Sequence, residues 1–173
     1  MRRQDREATG IQEIAEILRQ CKTCYLAVVD EGKPYVVPLS YGYRVFNSQE
    51  GNLTGSPLLE LYFHSALEGR KLDIMKRNAQ VCFAIAKEGE PVHADTPCNS
   101  GYYYSSVIGN GKAVFVEDCS EKCEALSVMF RQQTGSDVVF TDKEADTVCV
   151  FKIVSTDFTG KRKPAPKPYK SSR

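Results

Sequence analysis

Residues 61–78 read LYFHSALEGRKLDIMKRN, and the hydrophobic period of this stretch changes midway. Leu61 and Phe63 alternate with Tyr62 and His64, the two-residue period of a strand with one apolar face and one carrying polar rings. After Ser65 the period becomes helical, with Leu72 and Met75 on one side. Ser65 and Glu68 have the S-x-x-E spacing of a helix-entry capping box, and Asn78 suits a helix stop. A strand that runs so directly into a helix gathers Ser65, Gly69, Arg70 and Lys71 at one turn. Free backbone N–H groups, a hydroxyl and two cations are what a phosphate requires. Cations that merely face water are the plainer account. Helix starts favour acids over cations, however, so the misplaced pair hints at an anionic ligand.

The chain has 173 residues, enough for one domain with a sizeable core, and 42% hydrophobic and 26% charged residues are ordinary for a soluble protein. Of 23 Lys and Arg residues, six lie in residues 161–173, which hold no acid. The remaining 17 stand against 22 Asp and Glu, so residues 1–160 are mildly acidic. That balance argues against a dedicated nucleic-acid binder. No apolar run approaches membrane-spanning length, and the charged start MRRQDRE has no signal-peptide core behind it. Seven cysteines, an odd number, fit a reducing cytoplasm better than a paired secreted framework.

In order, Ile11, Ile14, Ala15, Ile17, Leu18 and Cys21 mark an amphipathic helix, with Thr9 and Gln12 spaced as its capping box. Residues 25–30 (YLAVVD) and 34–43 (PYVVPLSYGY) read as strands. Pro38 lies in the second and cannot donate a ladder hydrogen bond, which predicts an edge or a bulge. A polar loop over 47–57 precedes the central strand, and QVCFAIAK (80–87) follows its helix. Residues 88–100 are loop-like, and 102–117 are rich in β-formers. Gly109-Asn110-Gly111 there allows a hairpin turn or a bulge in one long strand, and we read the bulge partly on the family resemblance set out below. Residues 120–134 form a helix with Cys123, Leu126, Met129 and Phe130 inward and Gly135 as its stop. TVCVFKIVS (147–155) is a last strand, and the Pro-Lys tail is expected to be extended and disordered. Many strands, few helices and no β-α alternation predict a mainly β protein, a β-barrel with flanking helices.

Chemistry-bearing motifs are few. Cys21 and Cys24 form a CxxC that follows a helix instead of preceding one, unlike a redox pair, and no second CxxC completes a zinc ribbon. No metal site is expected, and core packing is the account for Cys21, Cys82 and Cys149. There is no G-x-S-x-G, no P-loop and no G-x-G-x-x-G. Tyr102-Tyr103-Tyr104 could stack flat rings, although strand tyrosines more often cover neighbouring side chains.

Taken together, VVPLSYGY, LYFHSALEGRK and YSSVIGNGKAVFVE resemble the pyridoxamine 5′-phosphate oxidase-like flavoproteins, nearest to the nitroimidazole-resistance branch. The likeness spans nearly all of residues 1–160, with FHSAxEGRK its most specific segment. The resemblance implies an FMN-binding split barrel in residues 1–160, with 161–173 as a basic tail. It also implies a homodimer that holds FMN at the subunit interface. Carried over by position, Pro38, Leu39, Ser40 and Tyr41 lie along the flavin ring. His64, Ser65 and Ala66 sit near the ribityl chain and phosphate, while Arg70 and Lys71 hold the phosphate with Gly69 allowing close backbone approach. Ser105, Ser106 and Val107 come from the partner chain. The implied activity is an FMN-dependent oxidoreductase that passes electrons from NADH or NADPH to a small acceptor, with a nitroaromatic as the candidate. His64 would donate a proton or orient the substrate. Two other readings remain open: a flavin-binding sensor or store without turnover, and a haem-handling split barrel. The C-terminal segment lacks the His of vitamin-B6 oxidising members, so that activity is not expected.

Overall fold

The computed structural model describes residues 4–8, 10–47 and 57–163. In chain order the elements are β1 (Glu7–Ala8), α1 (Ile11–Gln20), β2 (Thr23–Asp30), β3 (Lys33–Ser40), β4 (Gly42–Phe46), β5 (Leu58–Ser65), α2 (Arg70–Arg77), β6 (Gln80–Val92), β7 (Gly101–Phe115), α3 (Cys119–Thr134), α4 (Asp142–Ala145) and β8 (Cys149–Lys163). The strands form one antiparallel sheet in the order β3-β2-β6-β7-β8-β5-β4, with β1 added to β8. Its two ends, β3 and β4, are consecutive in the chain and joined through Tyr41. The sheet therefore curls round on itself yet stays unpaired at that seam, which is a split barrel. Among the described residues no helix is long and apolar enough to cross a membrane.

Two apolar clusters hold the fold. The barrel interior contains Leu26, Leu61, Phe83 and Ile153, all fully buried, and a stacked Phe63–Phe151 pair with ring centroids 5.2 Å apart. Helix α1 closes it with Ile14, Ile17 and Leu18, and α2 with Leu72, Ile74 and Met75. Each such large side chain contributes about 1.5–3 kcal/mol on full burial. The second cluster lies outside the barrel, where Ala125, Leu126 and Met129 of α3 cover Tyr62 of β5 and Val150 of β8. Strand β5 is thus covered on both faces until it reaches His64, which is exposed.

Several expectations hold. Pro38 is on an edge strand, because β3 pairs only with β2. Strand β7 is continuous, and its register with β8 shifts between Asn110 and Lys112. A Cβ on Gly111 would lie 2.7 Å from the Val154 carbonyl oxygen, so the bulge needs glycine there. Gly135 ends α3 in the left-handed region at φ 81°.

Others are corrected. The strand read over 34–43 is two strands broken at Tyr41. Gly42 then brings β4 against α3, where a Cβ would sit 2.7 Å from both the nitrogen and Cα of Met129. Ser65 caps nothing: it ends β5 and its hydroxyl donates to the Ala66 carbonyl at 2.9 Å, while Gly69 is the α2 N-cap without a side-chain cap. Thr9 lies outside the described residues, and α1 takes Gly10 as its N-cap. Cys82 is exposed on the outer side of β6, since the alternation of that strand puts Val81 and Phe83 inside, and Cys149 is half-buried. Residues 161–163 belong to β8, paired with Ser106, Ser105 and Tyr104 of β7, so the domain runs past residue 160. The rest of the tail lies outside the described residues. Helix α4 and strand β1 were not anticipated.

Candidate functional site

His64 lies in β5 opposite Val150 of β8, and its imidazole has no hydrogen-bond partner among the described residues. It opens into a cavity of ≈ 400 Å³ shared with Ser40 at the end of β3. Leu126, Met129, Phe130 and Gln133 line it from α3 at i, i+3, i+4 and i+7, one helical face. Phe140, Glu144, Thr147 and Val148 close the far side. Gln133 is anchored, its Nε2 donating to the Tyr41 carbonyl at 2.8 Å and the Lys22 carbonyl at 3.1 Å. Phe130 meets Phe140 edge-on with centroids 6.2 Å apart. The Glu144 carboxylate accepts from the Thr141 backbone N–H at 2.8 Å and from its hydroxyl at 2.7 Å. Those bonds hold its pKa below the usual carboxylate range, so the cavity carries a fixed negative charge. A largely apolar pocket with one free imidazole and one anion suits a small flat organic molecule.

The turn after β5 leads to the second group. Gly69 has φ 144°, a conformation open to glycine, and its carbonyl accepts from the Leu72 and Asp73 amides at 2.9 and 3.2 Å. Arg70 and Lys71 are the first two residues of α2. Arg70 is answered within the chain: its Nε and Nη2 both lie 3.1 Å from Asp30 Oδ2 at the end of β2, and its guanidinium stacks over Tyr35 at 4.4 Å. Arg77 donates to the other Asp30 oxygen at 2.7 Å. Asp30 thus supplies the negative charge that a cationic helix start lacks. Lys71 is half-buried and has no ion pair among the described residues. It is the cation at this turn that an anionic ligand would answer.

The remaining residues divide. Pro38 and Ser40 face outward on β3, and Ala66 is exposed in the turn beyond Ser65. Leu39 packs against the core. The Tyr41 ring is fully buried, its hydroxyl donates to the Leu18 carbonyl at 2.8 Å, and burial pushes its pKa well up. Tyr41 thus braces α1 against the seam and offers no ring to a ligand. Ser105 and Ser106 are half-buried on β7, whereas the Val107 side chain points into its own core. Strand β7 is three strand spacings from β3, about 14 Å at about 4.8 Å each, and none of the three residues lines the His64 cavity. The tyrosine run covers neighbouring cations, with Arg6 donating to the Tyr104 hydroxyl at 3.4 Å and Lys163 lying 5.6 Å from the Tyr103 ring. Phe140, Glu144 and Thr147 were missed from sequence, although Thr141 and Glu144 carry the T-x-x-E spacing of the capping box that starts α4.

Barrel and site together define an antiparallel split-barrel protein in which β5, covered on both faces, ends between an apolar cavity and a cationic helix start. Residues 11–162 match the family model for pyridoxamine 5′-phosphate oxidase, and the chain belongs to that family. Among solved structures it is similar to a candidate 5-nitroimidazole antibiotic resistance protein from Bacteroides thetaiotaomicron, at 30% identity and TM-score 0.73 over 90% of this chain and 86% of that one. A flavocytochrome from Azotobacter vinelandii shares the fold at 18% identity and TM-score 0.73, covering 96% of this chain and 73% of that one. So does an FAD- and haem-binding protein from Mycobacterium smegmatis, at 17% identity and TM-score 0.72 over 92% and 74%. No curated protein sequence matches the chain.

Proposed function

We propose that the protein binds FMN as a homodimer and acts as an oxidoreductase on a small, flat acceptor. The observation that carries this is the pairing, at one strand end, of an unpaired Lys71 beside an uncapped helix start with a cavity holding a free His64. The fit is good on residue chemistry: Lys71, the Ser65 hydroxyl and the first turn of α2 suit the phosphate, while Pro38 and Ser40 on an edge strand leave room for a planar ring. The chemistry that bound flavin supplies is two-electron redox, from NADH or NADPH to the acceptor. The protein's part is to orient and to exclude water. His64 faces the cavity and holds or gives a proton at an imidazole nitrogen, and Glu144 biases the pocket against anionic acceptors. Family membership and the similarity to a nitroimidazole-resistance candidate support a nitroaromatic acceptor.

A second copy completes the site. The outer face of β3, β2, β6 and β7 presents Val36, Tyr25 and Ile108, each about half exposed, around Pro38, Ala84 and Ser106. Such an apolar sheet face marks an interface, and it carries both segments that flank the ring. The test is purification under native conditions, followed by flavin analysis and by NADH and NADPH oxidation with and without a nitroimidazole. A yellow dimer that releases FMN on denaturation and reduces the acceptor is expected. Colourless protein that does not quench added FMN overturns the reading. Tight flavin without turnover by either nicotinamide identifies a sensor or store instead.

A further inference from the structure

We infer that Cys119, Cys123 and Asp142 form a binding site for a thiophilic divalent cation of the zinc type, which ties α4 to the first turns of α3. The sequence pairs the two cysteines four apart, so a continuous helix sets both thiols on one face. The fold adds what the sequence pattern lacks. Asp142, nineteen residues beyond Cys123, is the first residue of α4 and faces that pair. One donor atom from each residue lies within 4.8 Å of the others, and Cys123 Sγ is 3.8 Å from Asp142 Oδ1. Tetrahedral zinc with bonds of about 2.0–2.3 Å spaces its donors by roughly 3.5–3.8 Å, so small rotations suffice.

The donor types select the ion. Two thiolates and a carboxylate favour zinc over magnesium or calcium, which take oxygen ligands. Both cysteines are half-buried and Asp142 is exposed, leaving a water-accessible fourth position. The junction is preformed without the ion. Asp142 is set by the Thr141–Glu144 capping box, Ala145 is fully buried against α3, and Lys122 pairs with Asp146 at 3.8 Å. Three donors held in place by other contacts bind without having to organise the chain.

Two thiolates and a carboxylate at this spacing would repel one another, and a divalent cation between them is what offsets that repulsion. Because Phe140 and Glu144 both line the His64 cavity, the ion would also stiffen that wall.

The experiment is titration of the full-length native protein with Co²⁺ alone, followed by Zn²⁺. Expected are one Co²⁺ per chain, thiolate-to-cobalt charge transfer with intense tetrahedral bands in the red, and displacement by one equivalent of Zn²⁺. The C119S/C123S protein should lose those bands while keeping its circular dichroism and flavin content. D142N should keep thiolate bands but bind at least tenfold more weakly. Absence of tetrahedral bands in the wild type, or bands that survive in C119S/C123S through the exposed Cys82 or Cys98, overturns the site. Neither result bears on FMN, whose own test is separate.

Discussion

Replacing Lys71 with alanine should loosen FMN more than replacing Arg70, the reverse of what the sequence suggests. On residue type alone arginine is the stronger phosphate ligand, being planar and bidentate. In the structure, however, Arg70 sends Nε and Nη2 to Asp30 and stacks on Tyr35, whereas Lys71 has no anionic partner among the described residues. Loss of a charge-assisted contact to phosphate costs about 1.5–3 kcal/mol, roughly ten- to a hundredfold in Kd. Arg70→Ala removes a charge already facing a carboxylate. Acting through the field alone, at roughly 7 Å in a water-like medium, that charge is worth about 0.6 kcal/mol, or two- to threefold. Arg70→Ala should instead lower Tm slightly, because an exposed ion pair contributes only about 0.2–1 kcal/mol. Fluorescence-quenching titrations of apoprotein with FMN, at matched ionic strength, supply both Kd values. Raising salt should shrink the Lys71 effect. An Arg70→Ala loss larger than that of Lys71→Ala, or wild-type affinity in both, refutes the assignment of the free cation.

Three further outcomes are expected. Gly42→Ala puts a methyl group against the α3 backbone at 2.7 Å, so it should destabilise by about 1–3 kcal/mol, lower Tm by several degrees and weaken acceptor binding as α3 moves off the His64 cavity. A variant that melts with the wild type would show that α3 is not seated as described. With a thiol reagent near neutral pH, Cys82 and Cys98 should react first and Cys21 and Cys24 only on unfolding, since both are buried and burial pushes Cys24 up to about 12; mass spectrometry of the labelled peptides decides the order. Ser106→Arg sets a bulky charge on the outer face of β7, and it should shift sedimentation velocity toward monomer and lower FMN affinity with Lys71 intact, whereas unchanged dimer and affinity would remove β7 from the pocket.

What the sequence disclosed was what local chemistry decides. Alternation located β5, glycine and asparagine located the ends of α2 and α3, and the missing N–H of Pro38 located an edge. The errors arose where distant parts compete for the same residue. Ser65 and Glu68 have the right spacing for a cap, but the strand continues through Ser65 because its ladder with Cys149 holds it extended. Arg70 looked unanswered because Asp30 lies forty residues earlier and only the sheet brings it near. The break at Tyr41 was invisible for the same reason, since what bends the chain there is α3 lying against Gly42, more than eighty residues later. Likewise the cavity wall around Phe140 and Glu144 depends on how α4 packs on α3, which no short-range pattern records.

One geometric fact explains why a cavity and a cationic turn are neighbours. Strand β5 is an interior strand, paired with β4 and β8 and covered inside by the barrel core and outside by α3. A strand buried on both faces cannot offer a polar side chain along its length without losing hydration. It can do so where the covering layers end, and at β5 that point is its last two residues. His64 emerges on the α3 side, and the chain past Ser65 must then turn at Gly69 and start α2 to close the barrel with Leu72 and Met75. Before that rim the charged side chain of β5, Glu60, is answered by Lys152 at 3.1 Å and by the Tyr62 hydroxyl, so the polar groups of the strand left free lie at the rim. On that rim, in the proposed FMN site, a single chain would supply the phosphate end and one wall, while Ser106 on β7 does not line the His64 cavity. A planar ring lying along Pro38 and Ser40 would stay open to water on that side unless a second apolar sheet face covered it. The proposed dimer rests on the same burial argument that places His64, because the half-exposed Tyr25, Val36 and Ile108 would gain by a contact that also enclosed the ring.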